Sequence, residues 1–434
     1  MKPKISVILT SYNKPETVGK AIKSVLNQTY DNWELLIMDD NSRQETKEKI
    51  EKYLNDSRIS FFQSAVRNDQ RYLTTRYATL INEALEKVSG RYITYLTDDD
   101  YYLPQRFERM VSYFQRNRKA KICYSMQQVV HIDEKGDTVM ETVRRTSGML
   151  RKASFLVDHC SVMHEASLLK KVYEKFGSYW DDDARNWNHG DAAFWDRLTC
   201  FACFHPVNQI LDVNLKTPYS FQILNTYLPW ELPEGLVVTS QGGNKFVIER
   251  EKRRWLSPAM TGKLALDDHD IIVPDPLLYR YRPGERVDDR VFETGKFPSG
   301  TVLTYNQTKE RLYLMEKGRR RLVPSLSVAD KYCLAEKAVV VSPFILSEIP
   351  EGSPLSLEMC TAADLPEGKF FEFYGRYFVV MNGKLCILNR KMADRLHLDK
   401  ARLPKINARE YKRCPKGKEL GWNGSRSGQR RKKS

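Results

Sequence analysis

The sequence predicts an α/β protein: a mostly parallel Rossmann-like sheet flanked by helices, followed by a β-rich second region. Three observations carry this. Short apolar runs alternate with amphipathic helical stripes through the first half of the chain, which is the tempo of crossover connections and hence of a parallel sheet. Three of those runs end in polar clusters, Thr10-Ser11-Tyr12, Asp39-Asp40 and Asp98-Asp99-Asp100, and ligands of such sheets gather at the carboxyl ends of strands. From about residue 230 the texture changes to short strands and turns that recur in three copies.

Taken in order, Ile5–Thr10 reads as a buried strand ending in the turn Ser11-Tyr12-Asn13-Lys14-Pro15, and Val18, Ile22, Val25 and Leu26 stripe the next helix. Glu34–Met38 is a second buried strand stopped by Asp39-Asp40-Asn41-Ser42, after which Ile50, Tyr53 and Leu54 mark a helix face. Ile59–Gln63 is a third strand, and Ala78, Ile81, Leu85 and Val88 stripe a third helix closed by Ser89-Gly90. Tyr92–Leu96 is the strand that leads into the three carboxylates, with Tyr101-Tyr102-Leu103-Pro104 expected to open a helix. Ile122–Met126 is a further strand, and Ile132 to Asp137 a hairpin turn beyond it.

Three adjacent carboxylates repel one another, and hard oxygen ligands of this kind suit magnesium or manganese. An acidic loop that caps a helix is the competing reading. The chain has no Gly-x-Gly-x-x-Gly after its first strand and no Gly-x-x-x-x-Gly-Lys-Ser/Thr, so a bound nucleotide would have its phosphates held by a metal and basic side chains.

At 434 residues the chain is long enough for two domains, and its 41% hydrophobic content is ordinary for a soluble protein. No apolar run reaches membrane-spanning length, and Met1-Lys2-Pro3-Lys4 leads straight into a strand, so no transmembrane segment is expected and a cytoplasmic chain is. Eight scattered cysteines agree with a reducing compartment, and Cys200-x-x-Cys203 is expected to be core packing. The net charge of +15 is concentrated partly in a basic tail, residues 422–434, expected to be disordered. No nucleic-acid-binding signature accompanies it.

The elements Ser11-Tyr12-Asn13, Gln28-Thr29-Tyr30, Asp39-Asp40-Asn41-Ser42 and Thr97-Asp98-Asp99 resemble family 2 glycosyltransferases of the GT-A fold. The likeness is nearer to the bacterial spore coat polysaccharide and spore maturation glycosyltransferases. It extends through Thr75-Arg76-Tyr77-Ala78, Asp158 to His164, Gly177 to Asp181 and Gly190-Asp191-Ala192, over roughly residues 1–220. The resemblance implies a nucleotide-sugar donor, uridine or thymidine, and a saccharide or surface-polymer acceptor. It implies that Thr10, Tyr12 and Asp40 hold the base, that Arg71 reaches the nucleotide, and that Asp98 meets the ribose. It further implies that Asp99 meets a manganese or magnesium ion on the diphosphate. Asp100 stands where the spore coat pattern has Asn, which leaves a second metal ligand open. Asp191 becomes the catalytic base of an inverting transfer, although by itself an Asp at a Gly turn entering a helix reads as an N-cap. His159 and His164 are expected to lack a chemical role, and Trp180 with Asp181 to Asp183 reads equally as a sugar-stacking element or a solvated loop.

The first 220 residues thus form the expected catalytic domain, 221–231 a linker, and 232–421 a β-rich domain of three repeats, about 232–287, 297–355 and 365–420. Leu232-Pro233-Glu234-Gly235, Phe297-Pro298-Ser299-Gly300 and Leu365-Pro366-Glu367-Gly368 open the copies, and basic turns at Glu251 to Arg254, Lys317 to Arg321 and Asn382 to Lys384 sit inside them. These copies resemble short β-rich repeats of bacterial surface-associated proteins. Their turns are expected either to face a protein or polymer partner or to be solvated tips. A catalytically silent scaffold on the same fold is the alternative to an enzyme; a nucleotidyltransferase ranks third, lacking its glycine-rich turn. An association with the spore surface is expected of the whole chain.

Overall fold

Strand β1 (Ile5–Ser11) is buried along its length except at Thr10, and its Ile5, Val7, Ile8 and Leu9 are apolar because neither of its faces meets water. It runs between β2 (Trp33–Asp39) and β4 (Tyr92–Thr97), parallel to both, and β3 (Ile59–Gln63) lies parallel outside β2. Helices α1 (Val18–Leu26), α2 (Gln44–Glu51) and α3 (Arg76–Leu85) make the crossovers between these four strands. The structure, a computed structural model, describes residues 2–67, 70–267, 269–306 and 311–420; the basic tail lies outside the described residues. It falls into two compact units that divide between Ile223 and Leu224.

Beyond β4 the sheet of the first unit turns mixed. After Asp100 the chain forms a short strand, β5 (Tyr101–Tyr102), instead of the expected helix start, and α4 (Arg106–Arg116) begins only past Pro104. The cause is non-local: β5 pairs antiparallel with Asp212 and Val213 of the last strand of the unit. The hairpin of β6 (Ile122–Ile132) and β7 (Thr138–Arg144) follows, and β8 (Val162–Glu165) fits antiparallel between β4 and β6. Helices α5 (Ser167–Phe176) and α6 (Gly190–Thr199) lead to β9 (Phe204–Lys216), which lies parallel to β6. Two cores cover the two faces, one under α1 and α4 and one under α3, α5 and α6. Trp180 is fully buried in the second, stacked on Phe194 with ring centroids 4.8 Å apart. It is core and cannot stack on a sugar. Cys200 is exposed and Cys203 half-buried, so that pair is not core packing; all eight cysteines are free.

In the second unit three short meanders have the same plan. Strands β10 (Val237–Ser240), β11 (Lys245–Glu249) and β12 (Lys252–Leu256) are flanked by β13 (Ile272–Val273) and β14 (Arg282–Pro283). Strands β15 (Val302–Thr304), β16 (Leu312–Glu316) and β17 (Arg319–Val323) are flanked by β18 (Ala338–Val340) and β19 (Glu351–Gly352). The third sheet, β20 (Phe370–Phe373), β21 (Arg376–Met381) and β22 (Lys384–Leu388), has parallel bridges to Lys405 and Lys416 in place of flanking strands. Each pair of sheets shares one core: Val237 and Val247 with Leu303 and Tyr313, Val302 and Leu314 with Phe371 and Phe378, and Val238 and Ile248 with Val379 and Leu388. The three sheets therefore close on one another instead of forming an open stack.

Two of the turn arginines face inward, while Lys252, Lys317 and Arg319 stay exposed. Arg254 is buried, paired with Glu249 at 2.7 Å and donating to the carbonyls of Glu285 and Lys296. Arg321 repeats this with Glu316 at 3.0 Å and the carbonyls of Ser353 and Ala363. Both are spent on holding the closing segments.

Candidate active site

The loops after β1 and β2 are tied before any ligand arrives. The Asn13 N–H donates to Ser42 Oγ (2.9 Å), Arg43 N–H to Asn13 Oδ1 (2.9 Å), and Ser42 N–H to Asp39 Oδ2 (2.9 Å). Thr10 lies half-buried at the end of β1, beside Met38 and Thr97. Asp40 is buried and receives two guanidinium groups. Arg71 pairs with its Oδ2 and Arg76 with its Oδ1, the latter at 2.7 Å. The Arg71 guanidinium also covers the Tyr12 ring, 3.9 Å from its centroid. Tyr12, Asp40 and Arg71 are thus brought together as expected neighbours, with Arg76 an addition that sequence reading missed. Arg76 Nε lies a further 3.1 and 3.3 Å from the two Asp40 oxygens, so the carboxylate is engaged on both oxygens and a base imide would have to displace one of these donors.

The three carboxylates after β4 separate into three environments. Asp98 is buried and accepts the Tyr12 N–H at 2.7 Å, tying this turn to the end of β1. Asp99 is half-exposed, with a loose 3.4 Å contact to Lys14 Nζ. Asp100 is buried with both oxygens taken: Leu215 N–H donates to Oδ1 (2.9 Å), and Asn214 Nδ2 (2.8 Å) and the Cys160 thiol (3.2 Å) donate to Oδ2. Burial, and then the charge of Asp99, push both Asp98 and Asp100 well above the usual carboxylate range. Asp99 is the one of the three that is not buried, and its oxygens are open to a hard cation. Magnesium-type sites use one or two carboxylates, water and substrate phosphates, so this donor set fits such an ion at Asp99.

Asp191 lies in the first turn of α6, its Oδ1 accepting the Ala192 N–H at 2.8 Å. The helix start is fixed from α3: Tyr77 Oη accepts the Gly190 N–H at 2.9 Å, and a Cβ at Gly190 would stand 2.7 Å from that oxygen. Burial raises the proton affinity of Asp191, with His159 opposing and Asp158 adding to the shift. Burial disfavours the charge of Asp158 as well, but His159, Arg144 and Lys216 outweigh it and hold this carboxyl well below the ordinary range. Arg144 lies 3.2 Å from Asp158. Asp99, Asp100, Asp158 and Asp191 thus interact in series across the ends of β4, β8 and α6.

His159, expected to be a packing or acceptor-side residue, lies near enough for its charge to act on the candidate base, whereas His164 is core. Its Nδ1–H points to the Glu165 carbonyl (3.1 Å), so Nε2 accepts from Tyr95 Oη (2.7 Å). Asp158, His159 and Cys160 present ligand atoms within 4.8 Å of one another. They are not a free donor set, since burial and Asp100 push the Cys160 thiol up and it donates to Asp100. Beneath the site Arg106, fully buried, donates to Asp212 and to Ser125 Oγ, each at 2.9 Å. Its signal was present in the sequence: a cation on the helix face otherwise carrying Met110 and Phe114.

The profile described as Glycosyl transferase family 2 matches residues 6–176. Protein CgeD of Bacillus subtilis (strain 168) is 39% identical over 400 residues, covering 92% of this chain and 91% of that protein. The chain belongs to glycosyltransferase family 2. The Escherichia coli UDP-Glc:alpha-D-GlcNAc-diphosphoundecaprenol beta-1,3-glucosyltransferase WfgD is 38% identical to this glycosyltransferase over 117 residues, 26% of the chain and 42% of WfgD. A crystal structure of Staphylococcus aureus TarS 1–349 in complex with UDP-GlcNAc resembles it with TM-score 0.38 and 16% identity, over 49% of this chain and 58% of that one. The first unit has the mixed, parallel-rich sheet of the GT-A fold. Among the described residues, no helix is long and apolar enough to cross a membrane.

Proposed function

We propose that this family 2 glycosyltransferase moves a sugar from a UDP- or dTDP-sugar to a saccharide or surface-polymer acceptor with inversion, in bacterial surface polysaccharide synthesis, with the spore surface as its setting. The observation that carries the reading is Asp191: a half-buried carboxylate of raised proton affinity in the first turn of α6, interacting with Asp158 and His159 and through Asp158 and Asp100 with the acidic turn after β4. Such a group can take the proton of an acceptor hydroxyl as it attacks the anomeric carbon from the face opposite the leaving diphosphate. Tyr12 and Arg71 supply a flat, cationic wall for a base, Asp40 an acceptor for its imide, and Asp98 a partner for a ribose hydroxyl. Asp99 would hold a magnesium or manganese ion, which supplies Lewis-acid stabilisation of the diphosphate. Lys14, now on Asp99, is placed to turn to a phosphate oxygen.

We read the second unit as a three-copy module for a polymer or protein partner, supported by the shared strand plan of its sheets. The test of the enzymatic reading is Asp191→Asn. Calorimetry with UDP and dTDP in manganese should show donor-product binding like the parent, weakened by a chelator, while transfer to acceptor falls by about 10²–10⁴. Transfer at the parent's rate would remove Asp191 as the base. Absence of nucleotide binding in the parent itself would leave the catalytically silent scaffold.

A further inference from the structure

Residues 142–157, Thr-Val-Arg-Arg-Thr-Ser-Gly-Met-Leu-Arg-Lys-Ala-Ser-Phe-Leu-Val, contain four cations and no acid. The segment is pinned, not loose. Leu150 exchanges backbone hydrogen bonds with Phe204 at 2.8 and 2.9 Å, Leu150, Ala153 and Val157 are buried, and Trp195 Nε1 donates to the Val157 carbonyl at 3.0 Å. With those residues directed inward, Met149, Phe155 and Leu156 are left 56%, 71% and 52% exposed, and Arg145, Arg151 and Lys152 are exposed among them.

The turn at Ala153–Leu156, closed by the Leu156 N–H on the Ala153 carbonyl at 3.0 Å, places Phe155 at φ 63°. Glycine or asparagine is the usual occupant of such a third turn position, and a bulky aromatic there is strained. Burial of the ring does not offset that strain. A strained, exposed aromatic flanked by cations is the composition of a surface that meets a charged interface, with Asp196, which accepts from Ser154, the acid beside it.

We propose that the segment 145–156 docks this protein onto an anionic lipid bilayer, with Phe155, Leu156 and Met149 entering the headgroup region and Arg145, Arg151 and Lys152 on the lipid phosphates. Basic residues are drawn to such a surface by its negative potential, and exposed apolar side chains add to the binding. The docking surface lies against the helix of the candidate base: Ser154 Oγ donates to Asp196 and lies 3.1 Å from the Ala192 carbonyl oxygen, and the Phe155 ring lies 6.0 Å from that of His189. With Asp191 as the base, a reading the docking itself does not require, the acceptor hydroxyl would be presented from the bilayer surface.

The experiment is sedimentation of the full chain with vesicles of phosphatidylcholine alone and of phosphatidylcholine with phosphatidylglycerol. The expected result is binding to the anionic vesicles only, weakened by salt, and reduced roughly tenfold or more by Arg151→Glu/Lys152→Glu and also by Phe155→Ser/Leu156→Ser. In Phe155→Trp, brominated lipid should quench fluorescence beyond the quenching of the parent, which reports insertion without dependence on activity. Failure of the parent to sediment with anionic vesicles overturns the proposal. So does unchanged binding in both double variants. A polyphosphate that binds the parent as tightly as the vesicles do, with no loss in the Phe155→Ser/Leu156→Ser variant, would assign the patch to a soluble polyanion and would equally overturn it.

Discussion

Asp99 and Asp100 are neighbours of one residue type with opposite surroundings. Asp99→Ala removes only a loose contact to Lys14, so it should abolish metal-dependent nucleotide binding in calorimetry while leaving thermal unfolding near the parent's. Asp100→Ala leaves the Leu215 N–H and Asn214 Nδ2 without their acceptor and should cost about 1–3 kcal/mol in urea unfolding. Equal effects from both would contradict this division. His164 gives a pH test. Burial lowers its pKa to about 4, below the unfolded value near 6.5. The unfolded chain therefore takes up a proton that the folded one refuses, so its stabilising contribution is full above about pH 6.5 and fades toward pH 4, by about 3 kcal/mol at the limit. His164→Gln should flatten the fall in stability over that window, measured as unfolding midpoint against pH.

At the scale of elements, the buried pair of Arg106 and Asp212 holds α4, β6 and β9 in one arrangement. Asp212 also accepts from Ser125, Gln127 and Ser161 at 2.6, 2.7 and 3.1 Å. Arg106→Met leaves that carboxylate buried without its cation, and removal of one partner of such a pair typically costs about 3–5 kcal/mol. Because β9 carries Asn214 and Leu215, which hold Asp100, the same variant should weaken nucleotide binding although Arg106 lies beneath the site. The readout is urea unfolding together with calorimetric titration of nucleotide. A stable variant that still binds normally would show that the pair is not what sets the position of β9.

At the scale of the molecule, each unit has cores of its own. Gly368 lies at φ 75°, and a Cβ there would stand 1.8 Å from the Glu234 carbonyl oxygen, where two of the three sheets meet. Gly368→Val should therefore disrupt the second unit, costing more than about 2 kcal/mol, and in calorimetry shift or abolish one transition only. Residues 1–223 should still bind nucleotide, because every candidate donor, metal and base residue lies within them. Loss of nucleotide binding in Gly368→Val would mean that the two units are energetically one.

The sequence by itself determined the strands whose apolar runs lie between two neighbours, the polar clusters at their ends, and the three-copy texture of the second half, since each is written in local composition. The family resemblance singled out Tyr12, Asp40, Arg71, Asp98 and Asp191; the structure sets Arg71 on Asp40 and over the Tyr12 ring, and Asp98 on the Tyr12 N–H. Only the tertiary structure decided which carboxylate is open, since the groups that claim Asp100 lie on β9, far along the chain. It also turned Trp180 and Arg254 inward. Local pattern shows that a side chain is polar or aromatic. Whether it meets water, a distant donor or a buried charge depends on contacts between segments that are remote in sequence, and those contacts set the desolvation and the pairing that give it a role.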